Sequence, residues 1–227
     1  MTTARDTILA SIRRSLGVSG REAPRRKVVA DRLSQHPPGV VPARGQLPPA
    51  ERLELFRAMV EQAAGTVEEL ARADDIPGAI AGFLRAHNLP MAIRRGADPR
   101  LAVLPWERER TLEVTSGPSA GQDLVAMSHA FGGVAESGTL VLTSGPDNPT
   151  TLNFLPDTHV VVVAAADVAG DYETVWRRLR EKFPDRTLPR TVNLITGPSR
   201  SADIAQTLIL GAHGPRRLHV IVVGQAE

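Results

Sequence analysis

Val192-Asn193-Leu194-Ile195-Thr196, then Gly197-Pro198-Ser199-Arg200-Ser201-Ala202-Asp203-Ile204, and a helix length later Gly211-Ala212-His213-Gly214-Pro215 decide how this chain is read. A short apolar, partly β-branched run is followed by a Gly-Pro turn and then by a hydroxyl residue suited to cap a helix, which predicts strand 192–196, a tight turn and helix 202–210. Unpaired main-chain N–H groups at a helix start carry partial positive charge, so this turn offers a place for a phosphate or carboxylate, with the Arg200 guanidinium beside it. Gly197, Ser199, Arg200, Ser201, Asp203, His213 and Gly214 are the residues that would form such a site. The plainer reading of the same residues is structural: Ser199 caps the helix, Asp203 favours its first turn, and His213 bonds the last helical carbonyls.

Outward from this stretch, apolar segments at 66–70, 91–93, 101–104, 112–115, 124–127, 138–143, 159–163 and 218–223 read as strands. Helical spacing of apolar residues marks helices near 50–64, over 75–87 with Asp75 as its cap, and over 171–183. Alternation of this kind implies βαβ units and an α/β fold: a three-layer α/β/α sandwich on a mostly parallel sheet. Segments 138–143 and 159–163 have no helix between them, which predicts an antiparallel pair at the sheet's edge. In such folds ligands sit beyond the carboxyl ends of strands, where the 197–200 turn and His129 would both fall.

A second motif is Phe131-Gly132-Gly133-Val134-Ala135-Glu136-Ser137-Gly138-Thr139-Leu140-Val141-Leu142. Its glycines allow close backbone approach and place the Glu136 carboxylate at the start of a strand. Glu136 is therefore the candidate catalytic acid, base or nucleophile, and the structural alternative is a carboxylate that accepts backbone N–H bonds in a tight turn. No two histidines have the spacing of metal ligands, no Gly-x-Ser-x-Gly elbow or Gly-Lys-Ser/Thr phosphate loop occurs, and 132–134 does not complete a dinucleotide fingerprint, so neither a metal nor a cofactor is expected.

Together, the Gly-Gly-Val-Ala-Glu-Ser-Gly-Thr, Gly-Pro-Ser-Arg-Ser-Ala-Asp and His-Gly-Pro motifs, in that order and spacing, resemble the lactate-utilisation protein C family, the LUD-domain proteins. The resemblance spans roughly residues 50–224 and extends to an N-terminal helix. Ser137 and Ser201 stand where the family commonly has Thr, each keeping the hydroxyl. The resemblance implies a NagB/RpiA/CoA-transferase-like fold and a part in L-lactate use, in which lactate is oxidised to pyruvate with iron–sulfur-containing partners.

The chain has 227 residues, 42% of them apolar, enough for one substantial core, and no cysteine, so none of these residues can ligate an iron–sulfur cluster through a thiolate. The expected role is thus that of a non-redox accessory or regulatory subunit that binds its iron–sulfur partners and an anionic small molecule. The alternative is a transferase, isomerase or ligase using Glu136, on superfamily analogy alone. Residues 1–50 carry nine Arg/Lys against three Asp/Glu, and the rest carry eighteen against twenty-two, so a basic tail precedes an acidic body. The expected organisation is a helix over 5–16 with a Pro/Arg-rich linker, together 1–49, and an α/β domain over 50–227. With no aromatic residue to stack on bases, the tail suits a protein partner better than nucleic acid. No apolar run is long enough to span a bilayer and no signal-like segment opens the chain, which gives a cytoplasmic expectation. The sequence leaves a homo-oligomer open.

Overall fold

The structure, a computed structural model, describes residues 3–184, 187–202 and 208–224. Residues 1–40 and 41–227 form two compact units. In the first, α1 (Ala4–Leu16) opens on a capping box: Asp6 N–H donates to Thr3 Oγ1 (3.2 Å) and Thr3 N–H donates to Asp6 Oδ2 (3.1 Å). Gly17, at φ 63°, closes it. A second helix, α2 (Ala23–Gln35), occupies much of the segment expected to be an extended linker. It buries no side chain and carries a weak apolar stripe, so a search by periodicity passes over it, although Ala, Arg, Lys, Leu and Gln are all good helix formers. The proline-rich stretch begins only at Pro37.

The second unit is built on a six-stranded parallel sheet in the order β1 (Thr66–Leu70), β12 (Arg217–Val223), β7 (Thr158–Ala164), β4 (Val125–His129), β2 (Ala92–Arg95), β3 (Glu113–Ser116). Parallel strands buried on both faces need apolar residues at every position, and β7 shows it: Val161 and Val163 face one core cluster while Val160 and Val162 face the other. The first cluster takes Phe56 and Val60 from α3 (Pro49–Gln62), and the second takes Ile76, Ile80 and Leu84 from α4 (Ile76–Ala86). The mostly parallel α/β architecture is the one read from the sequence.

Its antiparallel part is a separate sheet of four strands, β8 (Val168–Ala169), β5 (Gly132–Val134), β6 (Thr139–Thr143) and β9 (Val192–Thr196). The pairing expected between 138–143 and 159–163 is not made. β6 runs antiparallel to β5 and β9, while β7 lies inside the parallel sheet. Alternation along β6 explains the placement: Leu140 and Leu142 point into the core shared with the parallel sheet and α3, whereas Val141 points the other way, against Val175 and Leu179 of α7 (Tyr172–Lys182). A strand with two apolar faces needs a cover on each side, and the edge of the large sheet would offer only one. Segment 101–104, expected as a strand, instead falls in and just after the short helix α5 (Pro99–Ala102), where Asp98 Oδ1 caps the Arg100 N–H (2.9 Å) and Pro99 opens the turn. The last short helix, α6 (Thr150–Phe154), precedes β7.

Candidate functional site

β9 ends at Thr196, and Gly197 turns the chain at φ 69°; a Cβ there would overlap the Ala63 carbonyl just after α3, so only glycine fits. Ser199 then ties the turn to segment 211–215 from three sides. Its N–H donates to Pro215 O (2.8 Å), its carbonyl accepts from Gly211 N–H (3.0 Å) and its Oγ accepts from His213 N–H (3.3 Å). Arg200 Nη2 donates to the Ala63 carbonyl (2.6 Å) and so fixes the guanidinium over the end of α3.

Of the helix expected over 202–210, residues 203–207 lie outside the described residues. Its two ends are strands, β10 (Arg200–Ala202) and β11 (Leu208–Leu210), paired antiparallel with Arg200 opposite Leu210 and Ala202 opposite Leu208. The bond from Gly211 N–H to Ser199 O closes one end of this strand pair, and the Leu-Ile-Leu run at 208–210 suits a strand. The argument for an anion held by a helix N-terminus therefore loses its helix start. Asp203 lies outside the described residues.

Segments 194–200 and 213–215, with the start of β7, line a cavity of about 250 Å³. Gly197, Ser199, Arg200, His213 and Gly214 all line it, so five of the residues singled out in the sequence meet in space. Ser201 follows in β10 and is not among the lining residues. Glu136 is also elsewhere. It sits in the β5–β6 turn, 4% exposed, with its Oε1 accepting the Tyr172 N–H at the start of α7 (3.4 Å) and its own N–H donating to Gly170 O (3.2 Å). That is a carboxylate at a helix N-terminus, favourable to the helix dipole.

The cavity floor holds residues that reading by motif passed over. His159 at the head of β7 is fully buried, and its Nε2 lies 2.9 Å from Ser128 Oγ, whose hydroxyl in turn donates to Asn153 Oδ1 (3.3 Å). Because the serine proton goes to the asparagine, Ser128 accepts from His159 Nε2–H, which leaves Nδ1 as a bare acceptor. Burial pushes the imidazole down to about 3, so it is neutral at pH 7. His159 Nδ1 and Asn153 Nδ2 have no hydrogen-bond partner among the described residues. The cavity thus presents an acceptor and a donor from below and the Arg200 cation at its rim. The sequence signal was a lone histidine heading an otherwise apolar strand.

The cavity lies beyond the carboxyl end of β9, as the sequence reading placed it, and at the same time near the starts of β7 and β12, the amino ends of the parallel strands. Among the described residues no helix is long and apolar enough to cross a membrane, and no group of three or more His, Cys, Asp or Glu is placed to hold a metal ion.

Residues 53–223 match the LUD domain. The chain is 33% identical over 145 residues to an uncharacterized protein of Neisseria meningitidis serogroup B, covering 60% of this chain and 59% of that one. It is 38% identical over 91 residues to lactate utilization protein C of Geobacillus sp. strain WCH70, covering 40% of this chain and 38% of the relative. It is 35% identical over 127 residues to lactate utilization protein C of Geobacillus thermodenitrificans, covering 52% and 53%. The chain thus spans about half the length of the curated relatives it matches. In fold it is similar to the crystal structure of a DUF162 family protein from Deinococcus radiodurans, with TM-score 0.56 and 24% identity over 78% of this chain and 99% of that one. With three quarters of its length inside the family match, the chain belongs to the LUD domain family.

Proposed function

We propose that this chain serves lactate utilisation as a non-redox accessory subunit of an iron–sulfur-dependent system that oxidises L-lactate to pyruvate. The observation that carries the reading is the likeness to proteins named lactate utilization protein C in several organisms. The absence of cysteine from these 227 residues supports the non-redox part, since thiolate-held clusters must then belong to partners. The excess of basic residues in 1–49 suits docking on an acidic partner surface, and the apolar stripe Ile8, Ile12 and Leu16 of α1 is exposed and free to be covered there. The cavity rimmed by Arg200 and floored by His159 and Asn153 would take an anionic small molecule with a donor and an acceptor to offer.

Deleting the gene in its source organism tests the reading directly. Growth on L-lactate as sole carbon source should fail while growth on glucose continues, and the intact gene should restore it. Growth of the deletion strain on lactate at the parental rate would refute the assignment. Capture of the tagged full-length chain from lactate-grown cells should recover cysteine-rich iron–sulfur proteins in stoichiometric amount, and replacing Arg25 and Arg26 by Glu should reduce that recovery. Recovery of the chain alone would refute the accessory role.

A further inference from the structure

A cavity of about 630 Å³ lies at the other end of the parallel sheet, beyond the carboxyl ends of β2 and β4. From β2 the chain continues outward through α5 to β3, and from β4 it continues the opposite way, toward β7. Diverging connections leave a crevice between the two strand ends, the place where open α/β sheets hold their ligands. Segment 143–148 forms its far wall and is pinned down: Ala97 N–H donates to Pro146 O (3.0 Å), and a Cβ at Gly96 would overlap the Asp147 carbonyl.

The polar groups in this crevice are of two kinds. Arg100 gives Nε and Nη2 to the Asp98 carboxylate (3.0 and 2.7 Å), which leaves Nη1 without a bond to any described residue, and Lys182 lines the same space. The others are acceptors. His129 Nδ1 lies 2.9 Å from the Ala130 carbonyl, which can only accept, so Nδ1 carries the proton and Nε2 the lone pair whenever the ring is neutral. Burial first, and then the charge of Arg100, hold the ring below its ordinary 6.5. Asn148, 4% exposed, donates Nδ2 to Thr143 O (3.4 Å), and its Oδ1 has no partner.

Cationic donors ask for a carboxylate, and the unpartnered Asn148 Oδ1 beside the lone pair of His129 Nε2 asks for a hydroxyl. Asp147 and Asp167 also line the space, which works against a phosphate or a dicarboxylate, and Phe131 and Phe183 give the carbon skeleton an apolar wall. We propose that this crevice is a second small-molecule site, specific for a small hydroxymonocarboxylate whose carboxylate sits on Arg100 and Lys182 and whose hydroxyl donates to Asn148 Oδ1 or His129 Nε2. The site is separate from the cavity at 194–215 and stands whether or not that one binds an anion.

Isothermal titration of the full chain with L-lactate, glycolate, propionate and inorganic phosphate tests it. L-Lactate or glycolate should bind at least tenfold tighter than propionate, and phosphate should not compete. Lys182→Ala, at an exposed position, should weaken every carboxylate by about five- to tenfold. Asn148→Ala should erase most of the preference for the hydroxyl, and Asn148→Ser, which restores an acceptor, should recover part of it. Equal affinity for L-lactate and propionate, the absence of heat with either hydroxy acid, or binding lost in Arg200→Ala and kept in Lys182→Ala would each overturn the proposal. The last result would assign the ligand to the other cavity.

Discussion

Phe56 joins the two sheets, and a double-mutant cycle measures how tightly. Its ring is fully buried in the core that α3, the parallel sheet and the four-stranded sheet share. On β5 it faces Gly133, where an added Cβ would lie 3.0 Å from Phe56 Cε2, 3.2 Å from Cζ and 3.3 Å from Val168 Cγ2. Phe56→Ala should destabilise the second unit by about 3–5 kcal/mol, the usual cost of removing a buried ring that its surroundings cannot replace. Gly133→Ala in the native background pushes the ring aside by a few tenths of an ångström and should cost about 1 kcal/mol, at the low end for overpacking by one carbon. In the Phe56→Ala background the same methyl enters vacated space and should gain about 0.8 kcal/mol. The coupling between the two sites is then about 2 kcal/mol, well above the scatter of independent mutations. Urea unfolding followed by the fluorescence of Trp106 and Trp176, both in the second unit, reads it. A coupling below about 0.5 kcal/mol would show that the ring and the β5 glycine do not share a packing site.

The buried histidines set a pH dependence. His159 is held at about 3 and His219 at about 4, both by burial, so the unfolded chain takes up their protons below 6.5 while the native state refuses them. Their contribution to stability is therefore complete above pH 6.5 and is lost as pH falls, at about 1.4 kcal/mol per pH unit for each ring, or about 2 kcal/mol each at pH 5. The carboxylate of Glu68, 3.5 Å from His219 Nε2, does not reverse the effect of burial. Chemical denaturation between pH 7 and 5 should give a slope reduced by about one proton in His159→Gln, and an unchanged slope would contradict the neutral, buried state. Tyr172→Phe removes the phenol that bonds Ser137 Oγ (2.9 Å) and Thr139 Oγ1 (2.7 Å) and should lower stability by about 1–2 kcal/mol in the same assay, with no change at all counting against a role for that network. Glu136→Gln should cost about 1 kcal/mol through the α7 N-terminus and leave small-molecule binding unchanged; loss of binding with the fold intact would return Glu136 to the candidate site.

The parallel sheet was legible because burial on both faces writes itself as continuous apolar runs, and β7 and β12 are the clearest examples. Of the second sheet only β6 and β9 were legible as strands, and their pairing was not, since β6 carries the same Thr-Leu-Val-Leu-Thr composition whichever neighbour it pairs with, and pairing is decided by what covers each face. In the 197–214 motif the glycine, serine, arginine and histidine were candidates for one site and line one cavity, while strands stand at 200–202 and 208–210, the two ends of the expected helix. A hydroxyl beside a Gly-Pro turn caps a helix or laces a hairpin equally well, and the contacts of Ser199 with residues 211–215 are too distant in sequence to show. His159, Asn153 and the crevice at Arg100 and Asn148 were not legible, because a single polar residue in an apolar context gains meaning only from the neighbours that leave its atoms unpaired.

β12 follows every other strand of the parallel sheet in the chain, yet lies between β1 and β7, and among the described residues it is the sole strand paired with β1. During synthesis, β1 leaves the ribosome some 150 residues before its partner, with no strand to pair with in the interval. The sheet therefore closes late, by insertion of residues 217–223 into a gap whose two walls are already made. Such non-local closure is slow, and until it happens β1 and β7 each present an unpaired edge, apolar along β7, which makes the nascent chain, rather than the finished protein, the form most in need of a chaperone.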